Sequence, residues 1–170
     1  MASLRKIFKT SIFIAEDDPD FLRMLKQLFA RGIENYKLST FTSVDDMYKY
    51  VLRRSSGMGR TVLILPISAH LVETNNVFDT IEAFRKELRN VHVVLLNNPG
   101  EFEQKELERY HVEYLVDDII TKNNFARLRI QNAIRRIVSR DDFVIRRKLL
   151  YASGATATFF FLITLLLLFV

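Results

Sequence analysis

Five apolar runs, each followed by a stretch whose oily residues recur at helical spacing, fill the chain from residue 10 to about residue 140. Ser11–Ala15, Tyr36–Phe41, Thr61–Ile67, Val91–Leu96 and Val112–Val116 are short and rich in β-branched or aromatic residues. Most are oily on both faces, the mark of strands buried in a parallel sheet. Helices are expected between and after them, over Asp20–Phe29, Val44–Leu52, Val77–Arg89, Glu101–Tyr110 and Asn123–Ser139. Parallel strands need crossovers of this length. The order βαβαβαβαβα therefore predicts a doubly wound α/β fold, with a five-stranded parallel sheet and helices on both faces.

Local signals support these boundaries. Glu16, Asp17 and Asp18 close the first run and Pro19 stops it, with Asp18 or Asp20 as the cap of a helix that buries Phe21, Leu22, Leu25, Leu28 and Phe29. Arg31–Gly32 ends that helix, and Ser43 caps the next, with Asp45 and Asp46 in its first turn. Pro66 breaks the third run near its carboxyl end. In the last helix Phe125, Leu128, Ile134, Ile137 and Val138 are expected to be buried. Carboxylates thus gather at the carboxyl end of the first strand, where open α/β sheets keep their ligand sites.

The 170 residues supply one ordinary core and an appendage, not a second full domain. No cysteine is present and only three histidines are, which excludes a disulfide framework, thiolate chemistry and a His-rich metal site. The formal charge of +5 is concentrated between Lys122 and Lys148. Leu149–Val170 then carries no charged side chain, and at ~1.5 Å per residue it spans ~33 Å, enough for a bilayer core of ~30 Å. A C-terminal transmembrane helix is expected, flanked by Arg146, Arg147 and Lys148. The positive-inside rule places that flank in the cytoplasm, so a single-pass, tail-anchored protein is expected. The division is a basic arm over 1–9 (or a short edge strand), a domain over 10–140, a basic juxtamembrane segment over 141–148 and a span over 149–170. Ser139–Asp142 resembles a capping signal for a new helix, a continuous helix being the alternative. Within the span, Ser153, Gly154 and Ala157 give small-xxx-small spacing suited to helix contact.

The segment AEDDPDFLRMLKQLF, set in this strand order, resembles the first strand, acidic pair and first helix of the receiver (CheY-like) domain of two-component response regulators, over about residues 10–140. The resemblance implies that Glu16 and Asp17 fall on the acidic positions that help hold Mg²⁺. It also implies a phosphoacceptor aspartate after the third apolar run, where this chain has Pro66; a Ser or Thr after the fourth, where it has Asn97; and a lysine after the fifth, where it has Asp117. Proline offers no carboxylate for attack and no metal ligand. An anion in place of the lysine would gather like charge where a phosphoryl group must sit, with Lys122 a weak substitute. The resemblance is therefore to a degenerate receiver, a pseudo-receiver. It also implies that the membrane is the inner, cytoplasmic one.

Other groups have ordinary readings beside the sharper ones. Glu16, Asp17, Asp18 and Asp117 either converge on a weakly held Mg²⁺ or form a solvated acidic rim. Ser68 and His70 fit loop polarity better than a replacement phosphoacceptor, and Phe78, Phe84 and Phe102 fit core. The arginines of 123–148 suit anionic lipid rather than nucleic acid, since no separate DNA-binding unit follows.

The expected function is that of a non-enzymatic protein–protein interaction module: a membrane-tethered adaptor, scaffold or small subunit without phosphoryl transfer and without a required cofactor. Its partners would be the bilayer and a membrane-associated protein, with self-association an option. By the resemblance, the partner face lies on the fourth helix, fifth strand and fifth helix, with Tyr114, Arg127, Ile130 and Ile134. The alternatives are an active phosphorylatable receiver and a structural subunit of a transport, secretion or motility machine.

Overall fold

The computed structural model describes residues 10–32, 36–54, 59–68, 72, 76–88 and 90–168. The arm over residues 1–9 and His70 lie outside them. Two compact units divide the chain, Met1–Ile134 and Arg135–Val170.

The elements of the first unit follow the predicted alternation: β1 (Thr10–Ala15), α1 (Pro19–Gly32), β2 (Tyr36–Phe41), α2 (Val44–Arg53), β3 (Arg60–Ile67), α3 (Asn76–Glu87), β4 (Val91–Asn97), α4 (Gln104–Glu113), β5 (Asp118–Thr121) and the start of α5 (Ala126–Leu168). All five strands are parallel, in the order β2-β1-β3-β4-β5. This is a flavodoxin-like α/β fold. Its order reverses beside β1, which places the ligand edge at the carboxyl ends of β1 and β3.

Alternate side chains of each strand feed opposite faces of the sheet. Phe13, Leu63, Leu65, Val93 and Leu95 join one core cluster with residues of α2, α3 and α4, such as Met47, Ile81 and Phe84. Their neighbours Ile12, Ile14, Val62, Ile64, Val94 and Leu96 are equally buried but belong to the opposite face. Asp18 does cap α1, its Oδ1 accepting from the backbone N–H groups of Asp20 and Phe21 at 2.9 and 3.2 Å. Ser43 caps α2 in the same way, accepting from the Asp45 N–H at 3.1 Å. Pro66 does not end its strand: it lies within β3, in register with Leu96.

The expected fifth strand is corrected. Residues 112 and 113 belong to α4, Tyr114 is its C-cap, and β5 begins only at Asp118. Two contacts hold this longer helix in place. The Tyr114 ring stacks on Phe78 of α3 at 3.6 Å and 10°. From the last turn of α3, Arg85 donates to the backbone carbonyls of Tyr114 and Leu115, taking up acceptors that a helix terminus leaves open. Leu115 has φ 50, so the chain leaves α4 through a left-handed residue, as helices commonly end.

The buried face of α5 in the first unit is also corrected. Phe125 and Leu128 are 69% and 56% exposed, whereas Ala126, Ile130, Ala133 and Ile134 are buried. Helix α5 passes through Ser139–Asp142 without the break that a new cap there would bring. Among the described residues, no helix is long and apolar enough to cross a membrane. Most side chains of the apolar run Leu149–Val170, and those of Arg146, Lys148 and Ala157, lie outside those described.

Candidate functional site

The carboxyl edge of the sheet brings together the ends of β1, β3, β4 and β5. Glu16 follows β1 directly; its backbone N–H still bonds the Phe41 carbonyl at 3.0 Å, so the sheet fixes it. Its side chain is fully buried, whereas Asp17 and Asp18 are exposed. Pro66 occupies the equivalent edge of β3. Asn97 ends β4 and is 2% exposed.

The residue that completes this edge is Lys122. It follows β5, its backbone N–H donates to the Asn97 carbonyl at 2.8 Å, and its Nζ lies 2.8 Å from Glu16 Oε1. The sequence alone points to Asp117 for this position. The true β5 is DIIT, so the residue that leaves its carboxyl end is Lys122, the residue type the resemblance implies there. Asp117 lies at the opposite end of β5, where it bonds His92 Nδ1 at 3.0 Å and the Val93 N–H at 3.0 Å. The expected clash of Asp117 with Glu16 and Asp17 does not arise. Of the family's five functional positions two are altered here, Pro66 and Asn97, not three.

Electrostatics follow from burial. Taking Glu16 out of water pushes its carboxyl above the ordinary value, while the Lys122 hydrogen bond, the Asp18 N–H at 3.1 Å and the Lys122 charge pull it back. Both donors use Oε1. Glu16 Oε2 and Asn97 Oδ1 are buried with no hydrogen-bond partner among the described residues. The Lys122 ammonium also lies 5.4 Å from the centre of the Phe21 ring, within cation–π range.

Magnesium, which the receiver resemblance implies, does not fit these residues. Hard cations of this kind need several oxygen ligands. Among the described residues no group of three or more His, Cys, Asp or Glu is gathered for a metal. Pro66 supplies no side-chain oxygen, and the buried Glu16 carboxylate is held by an ammonium.

A second feature lies on the flank of the first unit. Helix α4, strand β5 and helix α5 line a groove of about 480 Å³ that includes Leu107, His111, Val112, Ile119, Thr121 and Arg129. Of the residues expected to form a partner face here, Arg127 is exposed and Tyr114 half-buried against Phe78. Ile130 and Ile134 are 0% exposed, so they belong to the interior and not to a partner face. Exposed Val112 and Leu128 on these helices, with Leu115 and Phe125 in the segments beside them, supply apolar surface instead. The sequence alone assigns Val112 and Leu115 to a strand and Phe125 and Leu128 to the core.

In the second unit, Arg147 Nε donates to the Tyr151 hydroxyl at 3.2 Å and its guanidinium lies 5.5 Å from that ring's centre. The hydroxyls of Ser153 and Thr158 donate to the carbonyls of Leu150 and Gly154 on the same helix, at 3.0 and 2.9 Å. A Cβ built on Gly154 meets nothing within 4 Å.

The parallel sheet and its strand order make this a flavodoxin-like α/β domain, compatible in architecture with a receiver. No family model matches the chain, and no curated protein matches it in sequence. Solved structures do match in fold. A pilus assembly-related protein from Burkholderia pseudomallei K96243 is 14% identical, with a TM-score of 0.54 over 78% of this chain and 92% of its own. An adenylate cyclase from Rhodopirellula baltica is 15% identical, with a TM-score of 0.56 over 84% of this chain and 96% of its own. At these identities the likeness is one of architecture.

Proposed function

We infer that the protein is a membrane-tethered pseudo-receiver that works as a protein-interaction module and not as an enzyme. The observation that carries this reading is the pairing of Lys122 with Glu16 beside Pro66. The lysine that a receiver would use on a phosphoryl group is spent on a buried carboxylate, and the neighbouring strand offers no nucleophile. The remaining means of action is the surface. The groove between α4, β5 and α5, with its exposed apolar rim, supplies a concave site of a size suited to a partner side chain or short segment. A partner held in the same membrane would meet it at raised effective concentration.

The tether is read from the charge-free run Leu149–Val170, from a helix that continues to Leu168, and from Arg147 and Tyr151 at its start. A cation and an aromatic hydroxyl paired there are the residue types that settle at a membrane–water interface. The inner membrane, with the domain in the cytoplasm, is the location that fits the basic flank. Ser153 and Gly154 would present a smooth helix surface there, since the Ser153 hydroxyl is turned back on its own backbone. An inactive domain of this kind serves either as an adaptor or as a subunit of a larger machine; recovery of a stable stoichiometric complex would favour the latter.

The test is intact-mass spectrometry of the full chain in detergent after incubation with Mg²⁺ and acetyl phosphate, beside an active receiver. No added phosphoryl mass while the control labels is the expected result. A stoichiometric, alkali-labile gain would make the protein an active receiver. Carbonate extraction of membranes from expressing cells tests the tether: the chain should stay in the pellet.

A further inference from the structure

The Glu16–Lys122 pair raises a question that the loss of phosphoryl transfer does not answer, namely what holds the ligand edge together once it has no phosphoryl group. Glu16 is fully buried, and a buried carboxylate persists only with a compensating charge or hydrogen bonds. In a metal-using arrangement a divalent cation supplies that charge from solvent. Here the oxygen set for such an ion is broken by Pro66, and the charge comes from within the chain.

We propose that the Lys122 ammonium is the resident cation of this edge, a covalently tethered replacement for a divalent metal, and that it holds the domain permanently in one arrangement. Three observations carry this. Lys122 Nζ reaches Glu16 Oε1 at 2.8 Å across 106 residues of sequence, tying the segment after the edge strand β5 to the end of β1. The same residue is fixed from its backbone, where its N–H bonds the Asn97 carbonyl at 2.8 Å, so the side chain is delivered and not merely swung into reach. Its ammonium is also flanked by the Phe21 ring and is mostly shielded from water, at 13% side-chain exposure, which strengthens the pairing relative to a surface bridge.

The consequence concerns regulation, and it rests on the interaction-module reading. The β5 wall of the α4–β5–α5 groove is continuous with the segment that Lys122 anchors, since β5 ends at Thr121 and Thr121 lines the groove. A groove wall held by an internal ion pair needs neither metal nor phosphodonor to reach its binding form. The surface is constitutively presented.

The test uses the full chain in detergent with Mn²⁺ as the probe, read by electron paramagnetic resonance, together with thermal midpoints. The wild type should take up no saturable Mn²⁺ to about 1 mM, far above the range of regulatory oxygen sites. Lys122→Met should lower the midpoint, and adding Glu16→Gln to it should recover much of the loss, because the buried charge is then removed with its partner. Saturable Mn²⁺ uptake by the wild type that Glu16→Gln abolishes would overturn the proposal. So would a double variant no more stable than Lys122→Met, including the case in which neither folds. Acetyl phosphate labelling in the same preparation separates the two readings. Mn²⁺ uptake without labelling removes only the tethered cation, whereas labelling removes the pseudo-receiver itself.

Discussion

Arg85 and Leu115 lie 30 residues apart and are joined by a 2.6 Å hydrogen bond from the guanidinium Nη2 to the Leu115 carbonyl. Leu115 holds a left-handed backbone, φ 50, while its side chain is 73% exposed and packs on little. Leu115→Gly should therefore raise stability by about 0.5–1 kcal/mol, since the Cβ penalty disappears and almost no buried surface is lost. Arg85→Ala should lower it by roughly 1 kcal/mol, since water replaces the exposed bond to Leu115 and only in part the bond to the half-buried Tyr114 carbonyl. Urea unfolding of both variants checks the pair; equal effects of the two substitutions would contradict this account of the turn.

The two faces of α5 in the first unit make opposite predictions. Ile130→Ala, at a site 0% exposed, should cost roughly 2–5 kcal/mol in unfolding free energy. Leu128→Ser, two residues earlier and so on the open side of the helix, should stay within about 0.5 kcal/mol. If Leu128 were the costly one, the helix would be rotated from its described position.

Asn97 tests whether an amide at the end of β4 is used. Its buried Oδ1 has no partner among the described residues, so the near-isosteric Asn97→Leu should change stability by no more than about 1 kcal/mol, the removal of an unmet acceptor offsetting the loss of the amide's N–H donors. A loss of more than about 1 kcal/mol in denaturant unfolding would reveal a hydrogen bond made by that side chain.

The pH dependence has a definite sign. Burial raises the Glu16 carboxyl above its ordinary value of 4.5, so in the interval above that value the folded chain holds a proton that the unfolded chain has released. The stability this contributes is fully present below the unfolded value and is lost as pH rises through the folded one. Relative to Glu16→Gln, the wild type should gain stability as pH falls from neutrality towards 4.5. Paired unfolding curves at several pH values check this, and a slope of the other sign would mean that Lys122 outweighs burial.

Much of this was legible in residues 10–97, where apolar period, caps and turns agree with one another. Ser11–Ala15 with its acidic tail, Ser43 and the run Thr61–Ile67 all fall where local chemistry puts them, although Pro66 does not break its strand. The misreading begins at Val112. Val112–Val116 has the β-branched and aromatic composition of a strand, yet tertiary contacts decide otherwise: the Phe78–Tyr114 stack and the Arg85 bonds hold its first residues in α4 and use the rest as a turn. The four residues of β5 were passed over because Asp118 looks like the end of a strand and not its start. In α5 the large side chains were taken for the buried face, but Ala126 and Ala133 join Ile130 and Ile134 there, small residues that let a helix lie close to a sheet. Each error followed side-chain size or propensity where packing set the outcome. Together they reduce Lys122 to a weak substitute, whereas it completes the edge once β5 is correctly placed.

Asp117 exchanges bonds with β4 at both of its ends: its N–H donates to the Val93 carbonyl at 2.8 Å and its Oδ2 accepts from the Val93 N–H at 3.0 Å, with His92 bound to Oδ1. A strand as short as β5 has few ladder bonds with which to choose its alignment, and a slip of one residue would turn every side chain to the wrong face. Asp117 acts as a ruler's zero mark. Five residues further along, roughly 16 Å at the usual rise of an extended chain, the measured length ends at Lys122. The carboxylate once expected to spoil the acidic edge is thus the group that determines, from the far side of the sheet, which residue arrives there.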